Sequence, residues 1–510
     1  MKPIRLMRGF MTVGVWTLAS RVFGFIRDIL IAATLGAGPV AEAFLIAFAL
    51  PNMFRRFFAE GAFNMAFVPM FSKKIEGGDD PERFARDAFN GLATVVIAVT
   101  VLAVFAMPWL VYAMASGFVG DERFDLATDF GRIAFPYILF ISLAALLSGV
   151  LNATGRFLAA AAAPVLLNIL FIAAVYLAKG AGWDVGRTLV WTVPIAGMAQ
   201  LALVWIAAAR AGFTMCLQRP KMTPELKRLA IIAFPAALAG GVVQVNLLVG
   251  RQVASFFDGA IAWLNYADRL YQLPLGVVGI AIGVVLLPDL SRKLRAGDHE
   301  GGKHAFNRAA EVSLALTVPA SIALIAIPVP LISILFERGA FTSDDSAATA
   351  VAVAIYGLGL PAFVMQKALQ PLFYAREDTR SPLNYALVSM VVNAVVAIGL
   401  ATQIGYMAAA LATTLAGWVM MALLLRGARK LGDAAAFDAQ FKRRFWRILL
   451  ASGLMGAVLW CVSVLLGPFL AAPTIRYAAL ALLVGAGTGS YYAFGRLLGA
   501  FDLRDLRRKA

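Results

Sequence analysis

Apolar runs of about twenty residues recur from one end of this chain to the other, and that is the length an α-helix needs to cross the hydrocarbon core of a bilayer. The runs are continuous rather than alternating, which excludes a transmembrane β-barrel, and they are too many for a soluble globular enzyme. Inside them sit seven cations: Arg21, Arg27, Arg55, Arg56, Arg251, Arg269 and Lys367. A cation at the centre of a lipid-facing helix costs roughly 2.5–3.5 kcal/mol on insertion scales, so seven would cost about 20 kcal/mol uncompensated. The sequence therefore predicts that they face a wet, protein-lined cavity, and a cavity this cationic suits an anion.

Fourteen spans fit, with limits near 10–35, 38–70, 89–114, 130–154, 159–179, 187–209, 226–256, 263–291, 308–335, 347–374, 382–402, 405–426, 445–467 and 475–498. The predicted fold is an all-α polytopic membrane protein. The first segment has the basic start and short apolar core of a signal peptide, but "RVFGFIRDILIAATLG" continues it, so it reads as an uncleaved first span. The second and eighth spans exceed a straight crossing and contain Pro51 and Pro274, which predicts a bend or break in each. The formal charge of +16 does not point to nucleic acid, because about 32 of the 45 Lys and Arg lie at the N-terminus, in alternate connections and in the C-terminal tail. The opposite connections are short and mildly acidic ("GDERFD", "FTSDDS"), which places both termini in the cytoplasm.

An internal repeat runs at an offset of about 220 residues. "LPNMFRRFFAEGAFNMAFVPMFSKK" from Leu50 parallels "LPLGVVGIAIGVVLLPDLSRK" from Leu273, and "VLNATGRF" parallels "LFYAREDTR", with Ala153 opposite Ala375. Two six-span units of the same orientation match the architecture of alternating-access carriers. The expected organisation is an N-terminal lobe over 1–215, a C-terminal lobe over 216–430, and two additional helices over 431–510.

The first span offers Arg21, Arg27 and Asp28. The second offers Glu42, Asn52, Arg55, Arg56 and Glu60, with Asn52, Arg56 and Glu60 stacked four residues apart on one stripe. The eighth offers Asp268, Arg269 and Gln272 before Pro274. Pairing such as Asp28 with Arg21, or Glu60 with Arg56, neutralises part of this charge. Cations still outnumber embedded acids by about seven to four. Arginine suits phosphate oxygens because its planar fork donates in two prongs. Arg251 lies near a span end, where snorkelling to the headgroups explains it as well. Cys216 and Cys461 lie far apart, and His299 and His304 share one polar loop without a partnering Cys, so neither a disulfide nor a metal site is read here. No nucleotide-binding or catalytic motif is present. The chain reads as a transporter without cofactor, driven by an ion gradient or the membrane potential.

The stretches "SRVFGFIRD", "AEAFLIAFALPNMFRRFFAEGAFNMAFVPMF", "FPYILFISLAALLSGVLNATGRF" and "YADRLYQLPLGVVGIAIGVVLLPDLS" resemble the signature segments of the MurJ/MviN lipid II flippases, of the multidrug/oligosaccharidyl-lipid/polysaccharide exporter superfamily. The resemblance covers essentially the full chain. It implies a bacterial inner-membrane protein that moves undecaprenyl-pyrophosphoryl disaccharide-pentapeptide from the inner to the outer leaflet by alternating access. It further implies that Arg21, Arg27, Arg55, Arg56, Arg269 and Lys367 contact the pyrophosphate, supported by Asp28, Glu42, Asn52, Glu60 and Asp268. The two extra spans would form a groove for the lipid tail. Partners implied are lipid II, membrane lipids and the cell-wall synthesis machinery, and a monomer suffices because one chain supplies both lobes. Some members carry a sodium site around a seventh-span carboxylate, whereas this span offers only Gln244 and Asn246. Rival readings are an O-antigen-type flippase and a multidrug/cation antiporter, the latter disfavoured by a basic cavity. A polymerase or ligase of lipid-linked sugars would need a large outer loop, and the longest here spans about 15 residues.

Overall fold

The computed structural model describes residues 3–55, 62–281, 286, 289–290, 292–293, 296–432 and 435–500, and every regular element among them is helical. In lipid each backbone N–H and C=O must be satisfied within its own segment, which a helix does alone. Ten helices among the described residues are long and apolar enough to cross a membrane. The other four expected spans, 10–35, 38–70, 226–256 and 263–291, are the ones that carry the embedded arginines.

The helices fall into two compact units, Met1–Ala262 with Arg338–Phe341, and Trp263–Glu337 with Thr342–Ala510. The first contains α1 (Pro3–Leu35), α2 (Pro39–Arg55), α3 (Ala62–Gly77), α4 (Pro81–Phe105), α5 (Met107–Met114), α6 (Glu122–Ala134), α7 (Tyr137–Ala153), α8 (Leu158–Ala181), α9 (Val185–Arg210) and α10 (Pro224–Ala254). Its helices pack α1 on α8, α2 on α6, and α9 between α7 and α8, with α10 against α3. The division between compact units thus falls after the seventh span, whereas the sequence repeat divides the chain at 215. Leu226 of α10 seats against Gly91 of α4, where a β-carbon would come within 3.0 Å of it.

Helix α11 (Ala260–Ala281) leads into the second unit, which holds α12 (His299–Ala326), α13 (Pro328–Phe336), α14 (Ser343–Tyr374), α15 (Arg380–Ile404), α16 (Met407–Ala428), α17 (Ala439–Leu465), α18 (Gly467–Ala471) and α19 (Arg476–Leu497). Here α14 packs on α12 and α16, α15 on α16, and α17 on α12 and α19. The two additional helices close on α12 and α13 through a core of Ile327, Met455, Leu459 and Leu483. Pro51 and Pro274 both lie inside helices, α2 and α11. Residues 56–61 and 282–285, which follow them, lie outside the described residues.

The repeat is visible in local geometry. Short helices α5 and α13, of 8 and 9 residues, both open on a first-turn proline (Pro108, Pro328), which has no N–H to lose there. The α6–α7 span and α14 each cover 32 residues. α7 and α14 end in the same left-handed cap: Gly155 at φ 78 and Glu377 at φ 61. The next N–H then donates five residues back, Arg156 to Leu151 at 2.8 Å and Asp378 to Phe373 at 3.1 Å. From each cap an arginine reaches the end of the repeat's sixth span: Arg156 to the Arg210 carbonyl at 3.2 Å, Arg376 to that of Leu431 at 3.5 Å. Glu377 occupies a conformation that glycine adopts freely, so Glu377→Gly is expected to raise stability by about 1 kcal/mol in a thermal unfolding measurement. An unchanged or lower midpoint would count against strain at this cap.

Candidate functional site

The first unit places its expected cations differently from one another. Arg27 is 7% exposed and Asp28 5%. Arg27 bonds Asp28 Oδ1 through Nη2 at 2.7 Å and Nε at 3.0 Å, and its Nη1 donates to Asn168 Oδ1 on α8 at 3.0 Å. Asn168 Nδ2 in turn donates to the Ser20 carbonyl at 3.0 Å, one turn before Gly24. Gly24 faces this amide, and a β-carbon there would sit in ordinary contact, 3.4 Å from Asn168 Nδ2. The Arg27 guanidinium also lies 5.5 Å from the Phe171 ring centre and 5.8 Å from Phe48. Asp28 therefore neutralises Arg27, its neighbour, and not Arg21 as the pairing considered from sequence had it. The long arginine arm wraps back to the carboxylate while Asn168 holds its other prong.

Arg21, on the same helix and half-buried, makes no hydrogen bond or ion pair among the described residues, and its Nε is enclosed without a partner. Arg55 is half-buried at the end of α2, and Asn52 turns its amide back onto the Phe48 carbonyl at 2.8 Å. Arg56 and Glu60 lie outside the described residues, so the predicted stripe is represented only by Asn52.

Glu42 is 1% exposed and belongs to a different cluster, at the end of the unit that carries the short acidic connections. Its Oε2 meets Arg123 Nη1 at 2.9 Å, and its Oε1 accepts the Ile261 N–H at 3.0 Å in the first turn of α11. Arg123, within the acidic stretch "GDERFD", is itself buried and also binds Asp121 at 2.5 Å and Asp258 at 2.9 Å, with the Phe118 ring 4.6 Å away. The Arg123 backbone N–H and side chain hold the Asp121 carboxyl below the usual carboxylate range. One arginine thus joins α2, the 116–121 turn and the 255–259 corner.

The same corner is reinforced by close backbone approach. Ser116 N–H donates to Gln252 Oε1 at 2.6 Å and Gly117 N–H to Ser255 Oγ at 3.0 Å. A β-carbon on Gly117 would lie 2.5 Å from the Ser255 carbonyl carbon, so Gly117→Ala is expected to cost about 1–3 kcal/mol, read as a lower unfolding midpoint. No change in midpoint would mean the corner yields freely. Ala340, of the segment assigned to this unit, donates its N–H to the Ala33 carbonyl at 3.0 Å, beside Gly36 at φ 64.

In the second unit, the Gln272 amide donates to Asp268, and Arg269 beside them is half-buried. Tyr271 lies between Tyr356 and Phe363 in tilted contacts, with ring centres 5.1 and 5.7 Å away. Lys367 is exposed on α14, next to Gln366, which donates to the Gly417 carbonyl at 2.7 Å. Trp263 Nε1 bonds Asp345 Oδ1 at 2.8 Å, tying the start of α11 to the cap of α14. Arg251, half-buried in α10, belongs to the first unit. The side chains of Gln244 and Asn246 lie outside the described residues. Sequence reasoning missed Asn168 and Arg123. A lone amide in the apolar run "PVLLNILF" was the available signal for the first.

Comparison with known proteins bears on this geometry. The family model for "Lipid II flippase MurJ" matches residues 31–479. A protein of Rhizobium tropici described as "Probable lipid II flippase MurJ" is 43% identical over 99% of this chain and 96% of its own length. The "Lipid II flippase MurJ" of Burkholderia cenocepacia is 33% identical over 99% of this chain and 100% of its own. A solved MurJ structure in an inward closed conformation superposes with a TM-score of 0.81 at 26% identity, covering 97% of this chain and 99% of that one. An inward-facing multidrug MATE transporter shares the fold at a TM-score of 0.67 and 14% identity, over 81% of this chain and 95% of its own.

Proposed function

Because the chain belongs to the lipid II flippase MurJ family, a family of transporters rather than enzymes, we propose that it moves lipid II from the inner to the outer leaflet of the bacterial inner membrane. The match along the whole chain carries this reading, and the embedded cations give it a chemistry. A diphosphate is the doubly charged group that Arg21, without a partner among the described residues and six residues from the pinned Arg27, is suited to receive. We place Arg21, Arg27 and Arg55 of the first unit on the pyrophosphate. Arg56, Arg269 and Lys367 carry the same expectation, and each is testable alone by substitution.

Alternating access is the cycle proposed, driven by the membrane potential or an ion gradient. Both termini are placed in the cytoplasm by the excess of Lys and Arg in alternate connections. The two additional helices are the proposed seat of the polyprenyl tail. The antiporter reading is weaker, since the MATE likeness extends to the fold alone and the embedded charge is basic.

The test is replacement of the endogenous flippase by this chain, scored by survival and by accessibility of the lipid II headgroup outside. Survival with outward headgroup is the expected result. A protein that reaches the membrane yet leaves the headgroup inside would overturn the function.

A further inference from the structure

Two asparagines occupy the same place in the two repeats, and neither is used by the transport chemistry above. Asn90 follows Ala88 and Phe89 in α4, and Asn307 follows Ala305 and Phe306 in α12. The offset is that of the repeat. Asn90 is 4% exposed and Asn307 0%.

Their amides make the same three bonds. Asn90 Nδ2 donates to the Arg86 carbonyl one turn back at 2.9 Å and to the Cys216 carbonyl at 3.1 Å, and its Oδ1 accepts the Gln218 N–H at 2.9 Å. Asn307 Nδ2 donates to Lys303 at 2.8 Å and to the Ala436 carbonyl at 3.0 Å, and its Oδ1 accepts the Asp438 N–H at 3.0 Å. Each side chain grips a carbonyl and the N–H two residues on, as the backbone of a neighbouring strand does. The job calls for an amide of this length: aspartate cannot donate, and alanine removes all three bonds. The preceding phenylalanine is an aromatic anchor in both copies, Phe89 against Trp205 at 5.2 Å and Phe306 against Phe437 at 5.5 Å.

The gripped residues belong to the connections that leave the sixth span of each repeat, after α9 and after α16. Beyond the first grip, Thr223 caps α10 and Glu225 meets Lys74 at 3.7 Å. Beyond the second, Asp438 caps α17 through the Phe441 N–H at 2.6 Å and pairs with Arg308 at 2.7 Å. Arg444 of α17 reaches Glu311 of α12 at 3.0 Å.

We infer that Asn90 and Asn307 are a duplicated pair of positioning residues, each fastening the outgoing connection of its repeat to that repeat's own α4 or α12. The seventh span then starts as a rigid extension of the first unit, and α17 as an extension of the second. The connection 211–223 is no hinge, and bending needed for transport is taken up elsewhere. This consequence for transport rests on the proposed function; the grip itself does not.

Hydrogen exchange on the whole protein in lipid nanodiscs, without substrate, reads the two gripped amides. Asn90→Ala is expected to speed exchange at Gln218 at least tenfold and leave Asp438 unchanged, and Asn307→Ala to do the reverse. Asn90→Asp, which keeps the acceptor and loses the donor, should fall between. Should the alanine variant fail to fold, Gln218→Pro removes the gripped N–H from the exposed side and should loosen the amides of 214–217 alike. Unchanged exchange in these variants, or faster exchange in both connections from one substitution, overturns the pairing. In proteoliposomes carrying lipid II, Asn90→Ala should lower the rate of headgroup transfer several-fold with lipid II binding unchanged. Loss of binding in step with transfer overturns the positioning role. A wild-type protein that moves no lipid II would strike the function alone, because exchange still decides the grip.

Discussion

Arg21→Ala is expected to abolish rescue of a strain depleted of its lipid II flippase while leaving the unfolding midpoint unchanged or raised. Arg21 is an embedded cation whose guanidinium has no partner among the described residues, so its removal orphans nothing. An apolar side chain in its place also lowers the cost of holding charge within a span. Function and stability thus move in opposite directions, which is the mark of a group kept for a ligand. Full rescue by the variant would remove Arg21 from the pyrophosphate site. Arg27→Ala is a poorer probe of the same idea. It removes the ion pair with buried Asp28 and the bond to Asn168, at a cost of about 3–5 kcal/mol, so lost rescue there mixes folding with binding.

Arg123→Ala should destabilise the first unit by about 3–5 kcal/mol. It leaves Glu42 buried with backbone partners at Gly259 and Ile261 and no cation, and frees Asp121 and Asp258 from their shared anchor. Thermal unfolding in detergent should show the loss directly. The double variant Arg123→Met with Glu42→Leu should lose less than Arg123→Ala, because no charge is then left buried. Additive losses in the double variant would show that the two residues do not act as a pair.

The fold was legible because lipid imposes one solution on an apolar run, and the repeat because prolines and basic pairs recur in register. What the sequence could not convey was which charges are spent within the protein. Arg21 and Arg27 both precede Asp28 in one helix, and the sequence offers either as its partner. The choice was decided instead by Asn168, 141 residues away, which fixes one prong of Arg27 and turns the other onto Asp28. Arg123 was not singled out because its acids sit at 42, 121 and 258, and only the folded corner brings them together. Glu42 was grouped with the cavity by the family resemblance. Its partners place it with the corner at the other end of α2.

The segment Arg338–Phe341 has a bearing on how such proteins can recombine. The chain passes between its two units three times, after Ala262, before Arg338 and after Phe341, because this four-residue segment is seated against α1. Gly339 and Gly36 meet the opposing main chain too closely to tolerate a side chain. A hybrid built from two relatives therefore inherits a matched seat only if 1–262 and 338–341 come from the same parent. Descent by swapping whole halves at a single crossover would have broken that match, so the two stretches are expected to travel together in functional chimeras.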